Sequence, residues 1–232
     1  MSNGKIGGAM VLSELYAIVD RATLEKRGVR IGDFARELRD AGVRLVQYRD
    51  KVGGPQEVLR AAAEISAVFA GLEATLILND RADLAVLAGW GVHVGQGDLG
   101  VAAAKRVLGV GEERERRGHG GIAKVAEGVV GVSTHDVEQV RVAEKGEADY
   151  VAVGPVFGTS TKLDAETVVG LEGVRRARAL TTKPLVAIGG ITLGNARSVV
   201  ESGADSVAVI SGLFVPGRTV GEVARDFLEI LR

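Results

Sequence analysis

The chain of 232 residues contains no cysteine, so a disulfide framework, a thiolate zinc site and a cysteine nucleophile are all excluded. Aromatic residues are scarce, at 4%. An excess of either charge is missing too: 29 Lys and Arg against 30 Asp and Glu leave a formal net charge of −1. That balance lacks the basic field of a nonspecific nucleic-acid binder, and no nucleic-acid partner is expected. No apolar run reaches the ~18 residues that a membrane helix needs. The opening segment MSNGKIGGAMVL has one lysine and no extended apolar stretch, unlike a secretory signal. A soluble, cytoplasmic protein with no membrane partner is therefore expected.

What is present is apolar and flexible in equal measure. Hydrophobic residues make up 46% of the chain, enough to build a sizeable core. Glycine accounts for 33 residues, roughly twice ordinary usage. Short runs rich in Val, Ile and Leu predict strands at 15–19, 43–47, 75–78, 91–94, 129–132, 150–153, 185–188 and 206–210. These are continuous apolar runs, as expected of strands covered on both faces. Between them, helical spacing predicts helices near 31–41, 55–70, 81–88, 100–108, 136–146, 168–180, 193–202 and 219–231. Strand–helix alternation eight times over implies an α/β fold, a closed (β/α)8 or TIM barrel, as one domain spanning 1–232. A doubly wound open sheet is the structural alternative. AGVRLVQ, GWGVHVG, EADYVAVG and GADSVAVI repeat one layout, a small residue leaving a helix and then a Val-rich strand. Residues 1–13 form an N-terminal extension. Residues 109–128, with the mixed charge run Glu112–Arg117 between glycines, read as an exposed insertion on the side away from the barrel mouth.

In a barrel the reactive rim lies at the carboxyl ends of the strands. The second strand is followed by Gln47, Tyr48, Arg49, Asp50 and Lys51, the third by Asn79 and Asp80. The fourth brings His93 and Asp98, the fifth Ser133, Thr134 and His135. The sixth is followed by GPVFGTSTK, the seventh by Gly189 and Gly190, the eighth by Ile210 and Ser211. Arg49, Lys51 and Lys162 supply cations, and Asp80 and Asp98 supply carboxylates. Without thiolates, that pair favours a hard cation such as Mg²⁺, which takes few protein carboxylates and completes its shell with phosphate oxygens and water. The glycine and hydroxyl clusters resemble the usual barrel phosphate cradle. Each residue also has a plainer reading. Asp80, Asp98, Ser133 and Thr134 could cap helices. Gly189 and Gly190 could simply make a turn, and Lys162 could be solvated. His93, Trp90 and Tyr150 could be packed core residues, and His119 an inert surface one.

The blocks VQYRDK, LILNDRADLAVLAGWGVHVGQGDL, GVSTHD, ADYVAVGPVFGTSTK, PLVAIGGIT and GADSVAVIS, in this order, resemble thiamine phosphate synthase. The resemblance covers Leu15 to about Phe214. It implies transfer of a hydroxymethylpyrimidine group from its pyrophosphate ester to hydroxyethylthiazole phosphate, with Mg²⁺ as cofactor. It further implies that Gln47, Arg49, Lys51, Asn79, Ser133 and Lys162 hold the pyrimidine pyrophosphate. Arg49, Lys51, Ser133 and Lys162 are the catalytic candidates, and Asp80 and Asp98 the metal ligands. Thr159, Ser160, Thr161, Gly190, Ile210 and Ser211 are assigned to the thiazole phosphate, and Tyr48 and Asp50 are counted with the substrate-binding block. The implied mechanism is dissociative, and the implied assembly a homodimer. Asp50 stands where the family commonly has glutamate, and the 109–128 insertion is longer than usual. Two alternatives stay open: the related thiazole tautomerase, in which His135 would move a proton, and a phosphate-binding barrel without catalysis.

Overall fold

The computed structural model describes residues 12–109, 128–158 and 167–232. Eight parallel strands close into a barrel in chain order. They are β1 (Leu15–Asp20), β2 (Leu45–Arg49), β3 (Thr75–Asn79), β4 (Gly91–Val94), β5 (Val130–Thr134), β6 (Tyr150–Val153), β7 (Leu185–Ile188) and β8 (Ser206–Val209). The helices are α1 (Arg21–Arg27), α2 (Ile31–Ala41), α3 (Pro55–Phe69), α4 (Ala82–Ala88), α5 (Val101–Val107), α6 (Val137–Lys145), α7 (Gly170–Leu180), α8 (Ala196–Glu201) and α9 (Val220–Leu231). None among the described residues is long and apolar enough to cross a membrane. The bulk of the insertion expected at 109–128, and the N-terminal extension up to residue 11, lie outside the described residues.

Two apolar layers follow from strand alternation, in which successive side chains point to opposite faces. One set, including Ala17, Val19, Val46, Leu78, Val92 and Val151, faces outward and merges with the buried stripes of the helices. On α2 that stripe is Phe34, Ala35, Leu38 and Ala41, and it packs against α3 and α9. The other set, including Tyr16, Ile18, Leu45, Ile77, Tyr150 and Val186, fills the lumen. Register pairs Asn79 with His93, so polar side chains of neighbouring strands come level inside the barrel.

Several element ends shift by a few residues from expectation, and two departures have a clear local cause. β2 begins at Leu45 rather than 43, because Val43 belongs to the end of α2. Gly42 adopts φ 97 there, and the Val43 N–H returns to the Leu38 carbonyl at 3.0 Å. Val43 is buried as the apolar partner of that helix stop, which lengthened the apolar run beyond the strand. Helix α1 was not expected at all. The Asp20 carboxylate accepts from the Thr23 N–H at 2.9 Å and starts it, and left-handed Gly28 ends it about two turns later.

Candidate active site

The carboxyl ends of the strands surround a cavity. Gln47, Arg49, Lys51, Asn79, Asp80, Asp98, Ser133, Gly190, Ile210 and Ser211 all line it. Alternation explains the β2 contribution: Gln47 and Arg49 point inward, and Lys51 continues the same side beyond the strand. The same rule turns Tyr48 outward. Its ring is buried in the helix-facing layer, and its hydroxyl donates to Asp50 Oδ2 at 3.2 Å. Asp50 in turn accepts from Arg21 Nη1 (2.9 Å) and from the backbone N–H groups of Val52 (3.0 Å) and Gly53 (2.7 Å). Tyr48 and Asp50 are thus not among the cavity-lining residues; they shape the loop that carries Lys51. Thr159, Ser160, Thr161 and Lys162 lie outside the described residues, as does His119.

The charged half of the cavity is held by pairing. Arg49 Nη1 donates to Asp20 Oδ2 at 2.6 Å, with only 16% of the arginine side chain exposed. Lys51 Nζ pairs with Asp80, and the Asp80 and Asp98 carboxyls stand near enough to shift one another's protonation. Burial, with Asp98 alongside, raises Asp80 above the ordinary carboxyl range despite Lys51. Burial works the same way on Asp98, but the Asp80 carboxyl, the Gly95 N–H (2.8 Å to Oδ2) and the Lys51 charge outweigh it and hold Asp98 low. Two carboxyl groups so close at one cavity wall share either a proton or a cation. Neither is a helix cap: α4 is entered through Arg81 and α5 through Gly100, without a side-chain cap bond at either. Asp80 also sits at φ 63, in the left-handed region, while its N–H donates to the His93 carbonyl at 2.7 Å.

The donor set suits a hard cation. Both candidate donors are carboxylates, and no cluster of three or more His, Cys, Asp or Glu occurs among the described residues. An ion held by two carboxylates would therefore take its remaining ligands from substrate oxygens and water, as Mg²⁺ does.

The neutral half is built from close backbone approaches. Gly190 adopts φ 64, and a Cβ there would lie 2.6 Å from the Gly158 carbonyl oxygen. A Cβ on Gly212 would lie 2.3 Å from the Ile191 carbonyl oxygen. Only glycine lets these chains meet at the cavity wall. Ser133 and Thr134 do not cap α6; Asp136 does, accepting from the Gln139 N–H at 2.8 Å. Thr134 bridges instead to the Ala152 carbonyl at 2.9 Å. The Asn79 amide nitrogen is buried with no partner among the described residues, although the residue lines the cavity. Such an orphan donor is a place for a ligand acceptor.

Comparison with known proteins decides the family. Residues 15–112 and 122–213 match the model described as thiamine monophosphate synthase. The chain belongs to this family. A thiamine-phosphate synthase from Koribacter versatilis (strain Ellin345) is 45% identical over 229 residues, covering 97% of this chain and 99% of its own length. One from Methanosarcina mazei is 36% identical over 220 residues, covering 94% and 83%. The solved thiamine phosphate pyrophosphorylase from Pyrococcus furiosus superposes with a TM-score of 0.77 at 27% identity, covering 94% and 95%.

Within this member of the thiamine monophosphate synthase family, two features escaped the sequence reading. Asp20 is 3% exposed and fixes Arg49, yet the end of β1 had been passed over. Applying the strand-end rule to LYAIVD would have found it. Tyr16 is the second omission, and it acts together with Tyr150, which the sequence reading expects only as a packed residue and which is indeed buried. They belong to the barrel floor and carry the hydrogen bonds that reach Gln47 and His93. Trp90, by contrast, is packed as its plainer reading expected, with its indole N–H on Ser66 Oγ at 3.0 Å.

Proposed function

We propose that the protein is a Mg²⁺-dependent thiamine-phosphate synthase. It joins hydroxymethylpyrimidine pyrophosphate to hydroxyethylthiazole phosphate and releases pyrophosphate. The observation that carries this reading is that Asp80 and Asp98 line one cavity together with Arg49 and Lys51. Relatives named for the same activity over nearly the whole chain support it.

Asp80 and Asp98 would hold the cation, which when bound neutralises charge on the leaving diphosphate. Arg49, kept in place by Asp20, offers its remaining donors to phosphate oxygens. Lys51 exchanges its Asp80 partner for the same oxygens. Gln47, Asn79 and Ser133 face the pyrimidine, and the orphan Asn79 amide donates to it. Gly190, Ile210 and Ser211 line the opposite wall for the thiazole phosphate, where backbone N–H groups can approach an anion. The reaction we favour is dissociative. The methylene–oxygen bond breaks first, the electron-rich aminopyrimidine stabilises the cation, and the thiazole nitrogen then attacks the methylene carbon. No protein nucleophile is required. The protein supplies leaving-group charge neutralisation and the orientation of two rings, worth on the order of 7–11 kcal/mol.

The test is a two-substrate assay on the purified protein. Pyrophosphate release that needs both heterocycles and Mg²⁺ supports the proposal. Thiazole isomerisation without the pyrimidine would instead assign the tautomerase activity, and tight binding without turnover a non-catalytic barrel.

A further inference from the structure

Five polar side chains from five different strands are linked across the lumen. Gln47 Nε2 donates to Tyr16 Oη at 2.8 Å. Tyr16 Oη and Tyr150 Oη are 2.9 Å apart. Tyr150 Oη lies 3.0 Å from His93 Nδ1, and His93 Nε2 lies 2.9 Å from Ser133 Oγ. The barrel is shaped for this chain. A Cβ on Gly131 would lie 2.0 Å from Tyr150 Cζ, so glycine on β5 makes room for the ring. That ring meets Tyr16 edge-on at 6.1 Å and stacks on His93 at 5.5 Å.

A chain of hydrogen bonds has a direction. An amide nitrogen can only donate, so Tyr16 accepts from Gln47 and has one proton of its own to place. Tyr16 is fully buried, and the neighbouring acceptor is Tyr150 Oη. Tyr150 then gives its proton to His93 Nδ1. A neutral imidazole that accepts there carries its hydrogen on Nε2 and donates it to Ser133 Oγ. The Ser133 proton is left for the cavity that this residue lines. The opposite direction would set a Tyr16 proton against a Gln47 proton between two buried side chains, unless the Gln47 amide turned over. Amide orientation and histidine tautomer are therefore one variable, read at two ends. Burial raises both phenols well above their ordinary value, so they stay protonated and able to relay this direction.

We propose that Tyr16 and Tyr150 are positioning residues that fix His93 as its Nε2–H tautomer, making Ser133 a hydrogen-bond donor to the bound pyrimidine while Gln47 meets it through its carbonyl oxygen. The contacts to substrate rest on the synthase reading above; the tautomer does not. Tyr150 is not among the residues lining the cavity, and Tyr16 reaches it only at the floor. They determine which polar atom each of two cavity residues presents.

The experiment is ¹⁵N-histidine labelling of the full chain and long-range ¹H–¹⁵N correlation spectra. Three histidines are present, and His119→Gln and His135→Gln variants leave the His93 signals identified. The wild type should show His93 protonated at Nε2. Tyr150→Phe retains the ring in its Gly131 recess and removes one hydroxyl. It should shift His93 toward a tautomer mixture and raise KM for the pyrimidine pyrophosphate about tenfold, with KM for the thiazole phosphate unchanged. Tyr16→Phe should loosen the tautomer less, because Tyr150 still faces His93. A wild-type Nδ1–H tautomer, or a His93 spectrum indifferent to Tyr150→Phe, would overturn the inference. An Nε2–H tautomer in a protein without synthase activity would uphold it and defeat the functional reading alone.

Discussion

The two faces of the barrel wall are made by neighbouring residues yet follow opposite rules. Outward, Val19, Val46, Leu78, Val92 and Val151 meet helices in a layer held by shape and water exclusion. Inward, composition changes with height. Leu45, Ile77 and Val186 are apolar, Tyr16, Gln47, His93 and Tyr150 are hydrogen-bonded, and Arg49, Asp80 and Asp98 carry charge at the rim. The difference separates two tasks. The outer layer sets whether the barrel folds, whereas the upper lumen sets what it does once folded.

Substitutions on the two faces should break along that line. Asp98→Ala strikes the rim: pyrophosphate release should fall on the order of 10³-fold or more, with the thermal midpoint little changed, and chelating divalent cations from the wild type should mimic it. Phe34→Ala strikes the outer layer, where the ring is 1% exposed and stacks on Phe214 at 5.5 Å. It should cost about 3–5 kcal/mol in urea unfolding, while kcat of the folded fraction holds. Gly131→Ala tests the boundary, since its methyl group must displace Tyr150. A loss of roughly 1–3 kcal/mol should come together with weaker pyrimidine binding; stability loss alone would blur the division. Asp20→Asn keeps a capping side chain but removes the charge that holds Arg49. It should raise KM for the pyrophosphate ester about tenfold, equivalent to ~1.4 kcal/mol. The smallest effect belongs to Tyr48→Phe, which loses only the 3.2 Å bond to Asp50. Stability should drop by about 0.5–1.5 kcal/mol, and measured kcat should stay near wild type.

Much of this organisation was legible in the residues because periodicity and punctuation are local. Strands at 91–94, 150–153 and 185–188 stand where short apolar runs placed them, and the one expected at 75–78 runs a residue further, to Asn79. The barrel itself followed from counting alternations. What was not legible needed either a third dimension or a finer rule. Val43 read as strand because an apolar residue beneath a helix end looks the same in sequence as one in a sheet. Tyr48 was grouped with Gln47 and Arg49 by adjacency, although a two-residue period already sends it to the other face. Asp20 could have been found by inspecting β1 like the other strands. The Tyr16–Tyr150 link spans 134 positions, and nothing local announces it.

Asp80 carries a consequence of its own. Its φ of 63 is a backbone shape that glycine adopts freely and aspartate tolerates less well. Asp80→Gly should relax the main chain as it discards the carboxylate, leaving a hardier and inert barrel. A heat-resistance screen blind to turnover would drift toward glycine here, and one selecting for product would restore the acid.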